Sequence, residues 1–256
     1  MLRPVRKLGK RLLLKNWAGY CPICEAHVRF FVHGKWYRDE LLCGRCYSLP
    51  RERALMRVVQ SLYPNWRELK IHESSPGDRG ASRKIAHEGE HVVQSQYIPE
   101  EPAGSLTPSG QIVQSLEQQT FLDEQFDIVI TQDVFEHLFH PDLAIREIVR
   151  TLKPGGAHIM SVPIVRKAEP SRPRAVLEDG NTRHLMEPEY HGNPVGDGKS
   201  LVTFDWGYDI ADYLTQASFA TTTIHTTHDR SQGIEAEYLE IVVTRKPLHP
   251  PIAATR

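Results

Sequence analysis

The stretch FDIVITQDVFEHL, residues 126–138, decides the fold together with LKPGG, residues 152–156. The first stretch begins with an apolar run of the kind that a parallel sheet buries on both faces. Residues 141–152 then carry isoleucine, valine and leucine at helical spacing, and the Pro–Gly–Gly that follows stops the helix. Residues 157–162 are again apolar, so the series predicts a strand, a helix and a second strand.

The same alternation continues on both sides of this unit. A helix is predicted after Ser48 and Pro50, and it ends before Pro64. Further strands are predicted at 69–73, 92–95, 220–226 and 235–244, and further helices at 81–88 and 206–217. Strands that alternate with helices imply an α/β doubly wound sheet. We expect the last two strands to form an antiparallel pair at its edge.

The series FD, EH and LKPGG, with the spacing that it has here, resembles the later half of class I S-adenosylmethionine (SAM)-dependent methyltransferases. The resemblance covers residues 69–163, and the final strand pair is similar to that family as well. It implies a Rossmann-like doubly wound sheet, SAM as the cofactor and methyl transfer as the reaction. In open α/β sheets the carboxyl ends of the strands face the ligand crevice.

The resemblance also implies which residues bind the cofactor. Glu73 matches the acidic residue after the first strand and Gly77 the middle glycine of the loop, whereas Ser75 and Arg79 stand where the family has its other glycines. The acidic residue that the family has after the second strand is missing, and Gln96 and Tyr97 stand in the matching stretch. The implied cofactor-binding residues are Glu73, Ser75, Gly77, Gln96, Tyr97, Glu117 and Gln132. A plain strand–turn–helix loop is the alternative interpretation of residues 73–80.

All four cysteines lie in one segment, in CPIC, residues 21–24, and CGRC, residues 43–46. Two CxxC motifs at this separation indicate one zinc ion bound by Cys21, Cys24, Cys43 and Cys46. Four thiolates complete a tetrahedron, so we expect the ion to be structural. Together with SLPRERA, residues 48–54, the segment resembles a bacterial branch of the family that has an N-terminal zinc ribbon.

Other interpretations of the cysteines stay open. A redox dithiol normally needs one CxxC motif, and two disulfides would not persist in a reducing cytosol. Iron also binds to four thiolates. His27 and His33 lie in the same segment, and we expect them to be bystanders because the four sulfur atoms already complete the tetrahedron.

Charge is unevenly distributed along the chain, although the net charge is only −1. Residues 1–57 contain 13 Lys and Arg against 4 Asp and Glu, a balance of +9, and the remainder contains 18 against 28. This basic head indicates an anionic partner, either RNA or a membrane surface, or it offsets the thiolate charge. Residues 1–16 fit either a basic amphipathic helix or a solvated tail. Without a transmembrane span or a secretory signal, a cytoplasmic protein is expected.

The sequence therefore predicts three parts. They are a basic tail at 1–19, a zinc ribbon at 20–47 and a methyltransferase domain at 48–256. Residues 164–203 interrupt the alternation and are rich in Pro, Gly, His and Arg. This length is unusual for a connection, so the segment is predicted to form a lid or an acceptor-binding insertion.

Candidate catalytic residues lie in this insertion and just after the strand at 126–131. His191 is the leading candidate base for a hydroxyl acceptor, and His184 is the second. Asp133 is expected either at the crevice or as a helix cap. Glu136 and His137 are expected to orient the loop. The alternative role for the two histidines of the insertion is to pin that loop by hydrogen bonds.

Three functions follow as hypotheses. The first is O-methylation of a small molecule or glycan, which an enclosing insertion favours. The second is methylation of RNA that the basic head binds, although the chain has no Asn-Pro-Pro-aromatic motif. The third is a SAM-binding protein without catalysis, because two glycines of the cofactor loop are replaced.

Overall fold

The computed structural model describes residues 14–192 and 198–249, and its contacts divide the chain into two compact units. The first unit takes in the described residues up to Trp66, together with Gly77–Glu88 and Thr226–Glu240. The second takes in Arg67–Pro76, Gly89–His225 and the residues from Ile241. The helix or tail that was predicted at residues 1–16 lies mostly outside the described residues, which begin at residue 14.

The first unit contains a small antiparallel sheet and two main helices. The sheet has the order β1-β2-β3, and the strand β1 begins before the predicted end of the basic tail. The helix predicted after Pro50 is confirmed, and so is the one at 81–88. The elements are β1 (Asn16–Cys21), β2 (Ala26–Val32), α1 (Tyr37–Glu40), β3 (Leu41–Cys43), α2 (Pro50–Leu62) and α3 (Gly80–Glu88).

A buried arginine ties the first unit together. Arg53 on α2 is fully buried and donates hydrogen bonds to the carbonyl oxygens of Gly233, at 2.7 Å, and Leu41, at 3.1 Å. It also donates to the carbonyl oxygen of Ser48, and its guanidinium carbon lies 4.8 Å from the ring centre of Phe30. Burial lowers the pKa of Arg53 from its usual value. The carbonyl oxygens offset the cost of taking this cation out of water.

The second unit is built on a seven-stranded sheet with the order β15-β16-β8-β7-β4-β5-β6. All neighbouring strands are parallel except at β16, which is antiparallel to both of its neighbours. This arrangement confirms the predicted α/β sheet and its antiparallel edge pair. The strands are β4 (Lys70–Ser74), β5 (His91–Gln96), β6 (Ile112–Val113), β7 (Phe126–Gln132), β8 (Leu152–Ser161), β15 (Thr221–His225) and β16 (Ile241–Arg245).

The strand order reverses between β4 and β7. From β4 the chain proceeds outward through β5 to β6, and it then returns to the other side of β4 to form β7 and β8. The connections that leave these two neighbouring strands therefore diverge. A crevice is expected at the carboxyl ends of the strands where such a reversal occurs, and ligands of open α/β sheets bind there.

Two helices cover the sheet in the second unit, α4 (Pro141–Thr151) and α5 (Ile210–Ser218). Ile145 and Ile148 of α4 pack in one buried cluster with Leu214 of α5 and Trp206. None of the helices in the described part of the chain has the length and apolar character that a membrane span requires.

Two predicted elements are longer than the observed ones. The helix predicted at 206–217 begins at Ile210, because Trp206 is buried in the cluster and the chain turns before the helix starts. The strand predicted at 235–244 is reduced to β16. Residues up to Glu240 belong to the first unit, where Asp229 and Ile234 exchange backbone hydrogen bonds of 2.8 and 2.9 Å around a turn.

The insertion at 164–203, which has little periodicity in the sequence, folds into short strands. They form the antiparallel pairs β10-β11 and β12-β13, and β9 pairs with β14, which lies directly after the insertion. Strands of two to four residues are too short for an alternating pattern to be recognised in the sequence. They are β9 (Arg172–Pro173), β10 (Ala175–Glu178), β11 (Asn181–His184), β12 (Tyr190–Gly192), β13 (Lys199–Leu201) and β14 (Phe204–Asp205).

Two histidines are buried inside the sheet. His72 on β4 has its Nε2 atom 2.8 Å from the Ser95 hydroxyl, and His158 on β8 has its Nε2 atom 3.0 Å from the Thr131 hydroxyl. Burial lowers the pKa of each imidazole from 6.5 to about 3. Both side chains are therefore neutral in the folded protein at any pH well above that value.

We expect the free energy of unfolding to fall as the pH is lowered from 6.5 toward about 3. The unfolded chain binds protons in this window that the buried imidazoles cannot bind, so acid favours unfolding. Each histidine contributes a slope of up to roughly 1.4 kcal/mol per pH unit. His158→Gln should flatten the slope measured by urea denaturation, whereas His87→Gln at an exposed position should not. Equal slopes for the parent and His158→Gln would contradict this assignment.

Candidate functional site

The carboxylate of Glu73 lies at the point where the strand order reverses. Glu73 is the penultimate residue of β4 and only 1% exposed. Its Oε2 atom accepts a hydrogen bond of 3.1 Å from the Gln94 amide on β5. Its Oε1 atom accepts one of 3.1 Å from the Gln132 amide at the end of β7. The carboxylate therefore fixes one side chain on each neighbouring strand, and Gln94 was not among the predicted residues.

The backbone turns sharply as it leaves both strands. Ser75 follows β4 with a φ of 54°, and its N–H donates to the carbonyl oxygen of Ser95 at 2.8 Å. Asp133 follows β7 with a φ of 52°, and its N–H donates to the carbonyl oxygen of Ser161 at 2.9 Å. The left-handed region costs residues with a side chain free energy, and such conformations concentrate at functional sites. Two neighbouring strand ends therefore carry the same strained turn.

The structure restricts the two glycines of this loop, Gly77 and Gly80, to different degrees. A Cβ atom added at Gly77 would meet only the Ser82 hydroxyl, at an ordinary 3.7 Å. A Cβ atom added at Gly80 would lie 2.0 Å from a carboxylate oxygen of Glu52, and Gly80 has a φ of 55°. The fold itself therefore requires the glycine at position 80, which directly follows Arg79. At position 77 the fold has room for a small side chain.

The remaining predicted cofactor residues lie on neighbouring elements of the second unit. Gln96 is the last residue of β5, and the side chain of Tyr97 beside it is 55% exposed. Glu117 accepts a hydrogen bond of 2.9 Å from the backbone N–H of His140, directly before α4. The structure thus brings Glu73 and Gln132 into contact, and it gives Glu117 a partner at the start of a helix.

A second cluster follows β7 in a short 3₁₀ turn, Phe135–His137. The side chain of Glu136 is 2% exposed, and neither carboxylate oxygen has a hydrogen-bond partner among the described residues. Its Oε1 atom lies 3.8 Å from Nε2 of His137 and 3.7 Å from Nδ1 of His191. The two imidazole rings are nearly perpendicular, with centres 5.1 Å apart. The Glu136 carboxylate raises the pKa of His191, and burial opposes this effect.

We call Glu136, His137 and His191 the Glu136 cluster. The insertion positions these three residues. Thr203 donates from its N–H, at 2.8 Å, and from its hydroxyl, at 3.1 Å, to the carbonyl oxygen of Glu136. The Nδ1 atom of His137 lies 2.8 Å from the carbonyl oxygen of Leu201. His191 is on β12, where it pairs with Ser200 of β13. Two hairpin strands therefore hold the histidine against the end of the sheet.

The other predicted catalytic residues are not part of this group of three side chains. His184 ends β11 and is exposed, and it is not part of the group of ligand atoms that lie within 4.8 Å of one another. Asp133 accepts a hydrogen bond of 3.1 Å from the Ser161 hydroxyl, and its charge adds to the raised pKa of His191. The sequence did not single out Glu136 as a reactive group. Its place in the short turn after a buried strand, beside a histidine, is the signal that could have done so.

The four cysteines of the first unit come together in pairs. The Sγ atoms of Cys21 and Cys46 are 3.8 Å apart, and those of Cys24 and Cys43 are 3.7 Å apart. A disulfide requires about 2.05 Å. Four sulfurs at about 2.3 Å from one zinc ion would be about 3.8 Å apart at the edges of a tetrahedron. The observed separations match the second arrangement.

Neighbouring groups also favour negative charge on part of this cluster. The backbone N–H of Arg45 points at the Cys43 sulfur at 3.4 Å, and the Cys46 sulfur lies 3.2 Å from the Ser48 hydroxyl. Hydrogen bonding from Cys43 lowers the pKa of Cys21, whereas burial raises the pKa of Cys24 to about 12. Hydrogen bonding and burial therefore act in opposite directions on these two thiols. A dication would offset the repulsion between the thiolates.

Comparison with known proteins matches residues 76–160 to a family model described as a methyltransferase domain. This range contains β5–β7, α4 and most of β8, and it includes the whole FD, EH and LKPGG series. No curated protein sequence matches the chain.

Solved structures of similar fold cover most of the chain at low sequence identity. A complex of the Haloferax volcanii Trm112 methyltransferase activator with a methyltransferase matches with a TM-score of 0.50 and 14% identity, over 78% of this chain and 91% of that one. A SAM-dependent methyltransferase from Mesorhizobium loti matches with a TM-score of 0.49 and 14% identity, over 75% and 98%. A Burkholderia thailandensis 1,6-didemethyltoxoflavin N1-methyltransferase, bound to S-adenosylhomocysteine, matches at 0.48 and 13%, over 77% and 78%.

The family match and the topology of the sheet agree on the enzyme class. The match falls on the residues that carried the resemblance, and the observed sheet is the Rossmann-like one that the resemblance implied. The chain is a SAM-dependent methyltransferase.

Proposed function

We propose that the chain transfers a methyl group from SAM to a hydroxyl oxygen of a small molecule or glycan. The observation that carries this proposal is the Glu136 cluster. It places His191 beside a buried carboxylate, at the carboxyl end of β7, next to the reversal of strand order. A hydroxyl acceptor needs a group that orients it or takes its proton, whereas the methyl donor is already activated.

The cofactor would bind at the carboxyl ends of β4, β5 and β7. SAM, when bound, supplies an electrophilic methyl group on a sulfonium centre. Glu73 positions the Gln132 amide at the crevice, and the open backbone at Gly77 lets a ligand approach. The exposed ring of Tyr97 offers a stacking surface for the adenine. The proposed cofactor-binding residues remain Glu73, Ser75, Gly77, Gln96, Tyr97, Glu117 and Gln132.

The insertion would enclose the acceptor and bring its hydroxyl to His191. In the transfer, the methyl carbon leaves the sulfur, which keeps the bonding electron pair, and bonds to the acceptor oxygen. The hydroxyl proton passes to the imidazole or to solvent. Asp133 contributes negative charge beside this imidazole. Positioning the acceptor oxygen in line with the methyl group supplies most of the acceleration in such a reaction.

RNA is the second candidate acceptor, and the surface of the first unit favours it. Trp36 and Tyr47 are exposed there, and the basic side chains of Lys35 and Arg45 are exposed beside them in the sequence. Aromatic and basic side chains together suit single-stranded nucleic acid. A hydroxyl acceptor in RNA is compatible with the same chemistry at His191.

The head would bind one structural zinc ion through Cys21, Cys24, Cys43 and Cys46. The sulfur separations of 3.7 and 3.8 Å support this ligand set. A zinc ion with four thiolate ligands has no open coordination position. Its role would therefore be structural, and it would hold the two CxxC turns together. The buried Arg53 adds positive charge near the thiolates, which raise its pKa against the effect of burial.

The cofactor site can be tested at Gly77. We expect Gly77→Val to weaken SAM binding in calorimetry by about tenfold or more, since a side chain there blocks close backbone approach. Its thermal midpoint should stay near that of the parent, because the fold leaves this position open. Gly80→Ala is the matched control for a folding defect, and it should lower the thermal midpoint. Parent-like affinity in Gly77→Val would place the cofactor elsewhere.

The zinc proposal predicts that Cys24→Ser loses one zinc ion per chain relative to the parent. Elemental analysis of protein purified without added metal measures this loss. His27→Ala should keep the full metal content, because its imidazole lies beside the Tyr20 ring, at 5.6 Å between the ring centres. Finding two disulfides by mass spectrometry of the unreduced protein would rule the proposal out.

The acceptor class can be tested with labelled SAM and separate pools of glycans, small hydroxylated metabolites and RNA. We expect label in one of the first two pools. On the active pool, His191→Ala should lower turnover by about 10²–10⁴, the usual value of proton-transfer assistance, with SAM affinity little changed. His184→Ala on the exposed hairpin should lose much less. Label in RNA alone would favour the second candidate.

A further inference from the structure

We propose that Glu136, His137 and His191 bind a divalent transition-metal ion, with Zn²⁺ as the best fit. The ion would be separate from the one at the cysteines and would have an open coordination position for the acceptor oxygen. This inference rests on the proposed function for the role of the ion, but not for its binding. The ligand atoms of the three side chains lie within 4.8 Å of one another.

The buried carboxylate is the first observation that points to a cation. Glu136 is 2% exposed, and both of its oxygens lack a hydrogen-bond partner among the described residues. A buried carboxylate without hydrogen bonds costs several kcal/mol, and such groups are normally paired or coordinate a metal. Glu73 lies near the carboxyl end of the neighbouring strand β4, and each of its carboxylate oxygens accepts a hydrogen bond from a side-chain amide. The contrast shows that the carboxylate of Glu136 is placed for a different partner.

The distances are the second observation. The separations of 3.7 and 3.8 Å from Glu136 Oε1 to the two imidazole nitrogens are too long for hydrogen bonds, which for N–H···O are about 2.7–3.2 Å. Two ligand atoms at about 2.1 Å from one tetrahedral ion are about 3.4 Å apart. For the two pairs that include Glu136, shifts of a few tenths of an ångström would reach this separation, and the two imidazole nitrogens lie within 4.8 Å of each other.

The second nitrogen of His137 has an acceptor that leaves the first one available to the ion, and the second nitrogen of His191 faces a carboxylate. Nδ1 of His137 lies 2.8 Å from the carbonyl oxygen of Leu201, so it carries the proton and Nε2 faces Glu136. Nε2 of His191 lies 3.8 Å from Glu189 Oε1, and Nδ1 faces Glu136. Arg174 holds Glu189 through an ion pair of 3.2 Å. Histidine ligands of metals commonly donate their other N–H to a carbonyl or carboxylate, as His137 does to Leu201.

The ligand set indicates both the type of ion and its role. Two imidazoles and one carboxylate form a known zinc set that keeps a fourth position open, and they are harder ligands than four thiolates. With an ion bound, His191 serves as a ligand, and the acceptor hydroxyl occupies the open position. The ion lowers the pKa of that hydroxyl, whose proton leaves to solvent before the oxygen attacks the methyl carbon.

The test measures zinc in the full-length protein, dialysed against buffer with micromolar Zn²⁺ and then against metal-free buffer. We expect a ratio near two for the parent, with one ion at each site. His191→Ala and the gentler His191→Gln should give a ratio near one. His184→Ala, a matched histidine on the exposed hairpin of the same insertion, should stay near two. Glu189→Gln should weaken binding of the second ion by about tenfold.

Replacing the zinc with Co²⁺ gives a readout that does not depend on activity. A site with nitrogen and oxygen ligands adds weak visible bands, and the cysteine site adds strong sulfur-to-metal bands in the near ultraviolet. His191→Gln should remove the first set and keep the second. A parent ratio near one that His191→Gln leaves unchanged, or a ratio of two in every variant, would overturn the inference and indicate an ion pair instead.

Calorimetry with SAM on the same preparations separates this inference from the proposed function. A ratio of two that falls to one in His191→Gln establishes the ion even if no acceptor is methylated. Normal SAM binding and methyl transfer with a ratio of one would leave the proposed function intact and overturn the ion.

Discussion

The hydrogen bonds of the Glu73 carboxylate are the interaction on which the arrangement of the second unit depends. A parallel sheet brings the ends of β4, β5 and β7 together, and Glu73 in the middle accepts from one amide on each side. The carboxylate is buried, so loss of either amide would remove a hydrogen bond from a charge that water does not reach. The three strand ends are therefore held in register where the chain reverses direction. The strained turns at Ser75 and Asp133 begin from this fixed edge.

The insertion completes the opposite side of the same edge. Thr203 binds the carbonyl oxygen of Glu136, and Leu201 accepts from His137, so the turn after β7 is held by β13 and the residues just after it. His191 enters on the adjoining strand β12. The residues that meet in the Glu136 cluster are thus supplied by two segments about 50 residues apart in the sequence. Each segment provides hydrogen bonds that the other needs, and neither would form this cluster alone.

The sequence predicted the regular elements well where one residue pattern filled a whole strand or helix. Residues 126–131 and 141–152 are examples, because burial on both faces of a sheet, or on one face of a helix, leaves a pattern of sufficient length. It could not predict the hairpins of the insertion, whose strands are too short. The strand predicted at 235–244 is too long, because Leu239 is apolar for a different reason, its burial in the first unit.

Prediction of individual site residues was limited in another way. The motif drew attention to Gly77, yet only the structure distinguishes it from Gly80, whose need for glycine comes from Glu52 on another helix. Likewise, His191 was recognisable as a residue type, but its partner Glu136 lies in a different segment. Such pairings depend on tertiary contacts, which a single sequence does not record.

The buried Arg53 has a consequence for how this protein can change during evolution. Its guanidinium sits on α2, while its partners come from the cysteine-bearing sheet, from the segment before the helix and from Gly233 near the far end of the chain. A lineage that lost the sheet would keep a cation stripped of the Leu41 carbonyl and the Phe30 ring. Loss of the cysteine-bearing sheet would therefore be tolerated best if Arg53 were replaced as well. Exchanging this sheet alone for another would therefore leave a buried cation with fewer partners, so the sheet and the helix depend on each other.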